Sequence, residues 1–179
     1  MKFVIATRRV TSNVPVGERL SCLPKPGAYT VIVSGAGGTT GVALAEVFEM
    51  DNADLPLSGI STRGPVSGGN NVLIGGFIVD GSGPRTVLVR ARGPSLTGLS
   101  SPVLSNPLLQ LVASDGTTIT NDDWGSAPNA AQIQASGMAP TDPRESAILV
   151  NLPPGPYTAI VSGAGGAAGI GIVEVFPVQ

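Results

Sequence analysis

Six oxygen-bearing side chains stand out in a chain that is otherwise poor in charge: Asp115, Asn121, Asp122, Asp123, Asp142 and Glu145. Calcium takes six to eight oxygen ligands, often from loops at one end of a β-sandwich. Asp115, Asn121, Asp122, Asp123 and Asp142 are therefore the expected metal ligands, with calcium as the cofactor. Their spacing matches no EF-hand, and Asp and Asn also make turns by bonding to nearby backbone. A calcium ion at this end would polarise a carbonyl, while Glu145, with Asp142 as its catalytic companion, would position an attacking water. That is the chemistry of a small calcium-dependent ester or lactone hydrolase, the alternative to a structural, adhesive or ligand-binding module.

Other catalytic classes fall away by composition. The chain has no histidine, which removes a Ser-His-Asp triad and a His-ligated zinc. Lysine occurs only at Lys2 and Lys25, so residues 55–179 hold no Ser-Lys dyad. Cys22 is the sole cysteine; it forms no internal disulfide and has no histidine to activate it. Net charge is −2 and Arg8-Arg9 is the only basic run, so nucleic acid is not an expected partner. No run approaches the roughly 20 apolar residues of a membrane span. The apolar run Phe3 to Ala6 is too short for a signal peptide and precedes two arginines.

Two residues are candidates for ligand binding. Trp124, the only tryptophan, lies beside two aspartates and would stack on a sugar ring of a polysaccharide or small ligand. A lone tryptophan more often fills a core, and no second aromatic lies near to form a platform. Arg92, with Arg63 and Arg90, would bind an anion. The preferred alternative is pairing with Glu174, which sits on an otherwise apolar strand and needs a partner. Gly163-Ala164-Gly165-Gly166 imitates a nucleotide-binding loop, but a strand follows it where a helix is required, so it reads as a plain turn.

The elements that must position these groups are strands. With 25 Gly, 16 Pro and few aromatics, the composition suits short strands joined by tight turns. Pro154 to Val178 reads as two β-rich runs around a Ser/Gly/Ala loop, the pattern of a hairpin. Pro26 to Met50 repeats it at an offset of 128, with more than half the positions identical. The alternation of apolar residues predicts strands over 72–80, 85–92, 108–113, 145–152, 156–162 and 169–176. Shorter strands are expected at 57–63 and 117–120, and a two-turn helix within 128–137. In the repeat, Tyr29 to Val33 is expected to pair with Val42 to Phe48, and residues 1–25 read as irregular with at most one short strand. The expected fold is all-β: a sandwich of jelly-roll or immunoglobulin-like type, with about eight strands and one short helix. Asp51 to Asp54 marks the boundary between an N-terminal segment, 1–54, carrying the orphan hairpin 26–51, and a complete module, 55–179. An isolated hairpin is marginal in water, so 26–51 is expected to pack on the complete unit, on neighbouring repeats or on a second chain.

The run STRGPVSGGNNVLIGGFIV, then RTVLVRARGPSL, then NDDWGSAPNAAQIQASGMAPTDPRESAILVNLPPGPYTAIVSG, resembles a module repeated in large secreted or cell-surface bacterial proteins. It also looks distantly like the bacterial pre-peptidase C-terminal domain, a β-sandwich appended to exported enzymes. The resemblance covers 55–179, and 26–51 as a partial copy. It implies a non-catalytic accessory, adhesive or binding module in an extracellular or cell-surface location.

Overall fold

The computed structural model describes residues 27–47 and 58–178, together with the backbone of a strand at 2–10. The fold is all-β, in two antiparallel sheets. The strands in chain order are β1 (Lys2–Val10), β2 (Gly41–Val47), β3 (Ile60–Val66), β4 (Leu73–Val79) and β5 (Arg85–Arg92). They continue with β6 (Pro107–Ala113), β7 (Thr118–Asn121), β8 (Ser146–Leu152), β9 (Gly155–Gly163) and β10 (Gly169–Pro177). One sheet runs β2-β1-β4-β9-β6-β7 and the other β3-β10-β5-β8. Among the described residues the one α-helix, α1, spans Ala130–Ala135, within the expected stretch, and Gly137 ends the turn at φ +72°.

Alternation decides which face of each strand is buried. Leu73, Phe77 and Val79 on β4, Tyr157, Ala159 and Val161 on β9, and Leu109 and Leu111 on β6 point inward from the larger sheet. Val173 and Val175 on β10, Val87, Val89 and Ala91 on β5, and Ile148 on β8 meet them from the smaller one. Each buried Val or Leu contributes about 1.5–3 kcal/mol before entropy is subtracted. Gly75 lets the sheets close: a Cβ there would stand 3.0 Å from Val173 Cγ1. Leu88 faces the other way and forms a second small core with Ile133 of α1 and Ala147.

Three local expectations are corrected. Pro154 to Val178 is not a hairpin. β9 pairs with β4 and β6, while β10 pairs with β3 and β5 in the opposite sheet. The stretch is an arch that crosses the sandwich, so its two inward apolar rows face one another across the core. A 3₁₀ turn, Ala164–Gly166, makes the crossing, with Gly165 at φ +62°. Ala164 N–H donates to the Asn106 carbonyl and Ile170 N–H to that of Pro102, which straps the arch to the 102–106 loop.

The second correction lies in the partial copy. Residues 27–35 form no strand, and Gly41–Val47 pairs instead with Lys2–Val10, in the register Phe3↔Val47 to Thr7↔Ala43. Strand β1 also pairs with β4, so the copy does join the sheet of the complete unit, through a strand at the start of the chain. Among the described residues no strand flanks 27–35, whereas β9 has β4 and β6 on its two sides. The third concerns β3, which runs through Gly64-Pro65 to Val66. It is an edge strand, and an edge tolerates the missing N–H of proline. The expected boundary at Asp51 to Asp54 lies outside the described residues, as does Cys22.

Candidate functional site

The chemistry-bearing residues separate into a buried polar network and scattered turns. The network begins at Glu174, on the outward face of β10 and only 6% exposed. Arg90 and Arg92 lie on the same face of the neighbouring β5 strand, with Arg90 directly opposite Glu174. Arg90 Nε donates to Glu174 Oε2 at 3.0 Å, Arg92 Nε to the same oxygen at 2.7 Å, and Arg92 Nη2 to Oε1 at 3.2 Å. Arg90 also lies over the Phe176 ring at 4.9 Å and donates to the Met138 carbonyl at 2.6 Å. Burial alone would depress the Arg92 guanidinium, but the bond to Glu174 together with the charges of Glu174 and Glu145 offsets it and raises its pKa. The expected pairing of Glu174 with arginines is thus found for Arg90 and Arg92. Arg63 is exposed and makes no ion pair among the described residues.

Arg92 extends the network through Ser95. Its Nη1 donates to Ser95 Oγ at 3.1 Å, and Ser95 Oγ donates to Glu145 Oε1 at 2.7 Å. The same carboxylate oxygen accepts from the backbone N–H groups of Gly93 and Ser95, each at 2.9 Å. Glu145 is 0% exposed. It closes the turn that follows β5 by satisfying the backbone donors of buried Gly93 and half-buried Ser95. Gly93 is required there, because a Cβ would collide with the Leu104 carbonyl. This role was not legible in the sequence, since the partners lie about fifty residues upstream.

The remaining predicted site residues serve local structure. Asp142 is tied up by Arg144, whose Nε and Nη2 donate to its two oxygens at 2.9 and 2.8 Å; that bond holds its pKa below the usual value. Asp115 Oδ1 accepts from Thr117 N–H in the β6–β7 turn, which also lowers its pKa. Asn121 is bonded at both ends, accepting from Ala147 N–H and donating to the Asp123 carbonyl. Asp122 is pushed up by burial and then by the neighbouring Asp123. Among the described residues no three His, Cys, Asp or Glu side chains converge in a group able to hold a metal. The five expected calcium ligands therefore do not fit a shared ion in this arrangement.

Asp142 and Glu145, the residues expected to act together on a water, are both engaged in internal bonds. One is bound to Arg144, and the other has no surface through which to meet a substrate. Trp124 packs against the small core of Leu88, Ile133 and Ala147, and its backbone N–H donates to the Glu145 carbonyl. Two surface hollows, of about 240 and 260 Å³, are lined by neither Trp124 nor Glu145.

The exposed apolar surface lies elsewhere. Of the described large hydrophobic residues that stand in solvent, all but Ile119 belong to the partial copy: Tyr29, Val31, Ile32, Val42 and Leu44. Sequence reasoning gave this copy the same apolar content as the final arch but did not show which neighbours it lacks. No family model matches the chain, and no curated protein matches it. No helix among the described residues is long and apolar enough to cross a membrane.

Proposed function

We propose that this chain is a non-catalytic β-sandwich repeat module that joins to other modules through its N-terminal partial copy. The observation that carries this reading is the concentration of exposed apolar side chains on residues 29–44; among the described residues the other large hydrophobics are almost all covered. Contiguous exposed apolar surface marks interaction sites in soluble proteins. The use of Glu145, Glu174 and Asp142 in internal bonds supports a structural or adhesive role over hydrolysis. The resemblance to modules of large exported bacterial proteins supports a location on the cell exterior.

The test is association of the intact chain, followed by sedimentation velocity over a concentration series. The expected result is weak, concentration-dependent self-association, because an apolar face meets its own copies when no partner is present. Ile32→Lys with Leu44→Lys should abolish it while leaving the melting of the 58–178 sandwich unchanged. A chain that stays monomeric at every concentration, or associates equally with both substitutions in place, refutes the reading.

A further inference from the structure

The chain carries the sequence of the arch twice, in two environments. In the C-terminal copy Tyr157 is 9% exposed, whereas Tyr29 at the same place in the N-terminal copy is 65% exposed. Ile32, the counterpart of the half-buried Ile160, is 84% exposed. Glu174 is buried between Arg90 and Arg92, while its counterpart Glu46 is exposed and makes no ion pair among the described residues. On β1 the residue across from Glu46 is Val4. The complete unit thus shows what covers this sequence when it is covered: β4 and β6 flank the first limb, and β3 and β5 flank the second.

Resting on the joining role above, we propose that residues 27–47 dock into a second sandwich body built like residues 58–152. There they would take the place that β9 and β10 take here, with Glu46 held between two arginines of that body. The occupant follows from sequence identity and charge. A lone carboxylate on an apolar strand is costly to bury without a cationic partner, and the matching strand of the complete unit meets it with two guanidinium groups. A lipid surface or a generic apolar peptide offers no such pair. Since β10 has strands on both sides, β1 must release β2 when the body docks.

The experiment keeps the full chain and adds a second copy of residues 55–153 ahead of Met1, then maps amide hydrogen exchange. The expected result is protection of the added copy and exchange at 41–47 slowed about tenfold or more relative to the unextended chain. Glu46→Lys in the extended chain places a third cation beside the two arginines. It should remove protection from the added copy and leave 58–178 protected. An added copy that stays unprotected, with 41–47 exchanging as before, overturns the inference, as does full protection that survives Glu46→Lys. Self-association of the unextended chain does not depend on the added copy. If it persists while docking fails, the joining role stands with a different occupant; if both fail, both readings fall.

Discussion

Replacing Glu174 by alanine removes one carboxylate and leaves two guanidinium groups side by side on one face of β5. In the native protein Glu174 receives Arg90 Nε at 3.0 Å, Arg90 Nη2 at 2.8 Å, Arg92 Nε at 2.7 Å and Arg92 Nη2 at 3.2 Å. Breaking a buried ion pair by deleting one partner costs about 3–5 kcal/mol, because the remaining charge is buried without compensation. Both arginines here keep some solvent contact and a second partner, Met138 for Arg90 and Ser95 for Arg92. That lowers the expected loss to about 2–4 kcal/mol. For a protein of this size it corresponds to a fall in Tm of roughly 4–16 °C. Urea unfolding followed through Trp124, the only tryptophan, gives the free energy directly. Replacing all three together, with Arg90→Met, Arg92→Met and Glu174→Leu, should recover most of the loss, since an apolar trio has no charge to desolvate. A loss below about 0.5 kcal/mol for Glu174→Ala is what an exposed pair would give, and it would refute the reasoning.

Three further outcomes are expected. Glu145→Ala should cost about 3–5 kcal/mol by stranding the Gly93 and Ser95 donors, with Glu145→Gln milder because one oxygen remains; equal losses on urea unfolding would show that the acceptor is not what matters. Asp122 has a folded pKa raised by burial and by Asp123; its favourable contribution is present below the unfolded value near 3.9 and is lost as pH rises through the folded one. Asp122→Asn should therefore raise Tm at neutral pH and lose that advantage below about pH 4, and a difference that does not vary with pH would contradict this. Calcium or a chelator should leave Tm unchanged, because Asp115, Asp142 and Asn121 are committed to other bonds; a calcium-dependent rise would show a site that these bonds do not describe.

Much of the complete unit was legible because period-two alternation reports faces directly. Alternation over 85–92 gave the strand that became β5, and a lone Glu174 among apolar residues called for a cation. Alternation does not report neighbours. The arch and a hairpin share one pattern, and only β3, β4, β5 and β6, distant in sequence, decide between them. The same limit hid the pairing of β1 with β2 and the bond from Glu145 to a turn fifty residues away. The carboxylates read as calcium ligands were ambiguous for a related reason, since the short side chain that ligates an ion also closes a turn or takes an arginine two residues on.

The chain has only two tyrosines, and they occupy matching places in the two copies of the arch. Nitration of the dilute intact chain, read by mass spectrometry, therefore compares the two environments within one molecule. Tyr29, standing largely in solvent, should react readily, while Tyr157, buried with its hydroxyl donating to the Pro153 carbonyl at 2.8 Å, should be protected until the sandwich unfolds. Equal protection of both tyrosines in the dilute folded chain would show that the N-terminal copy is already covered, and would contradict the account of it as a joining surface.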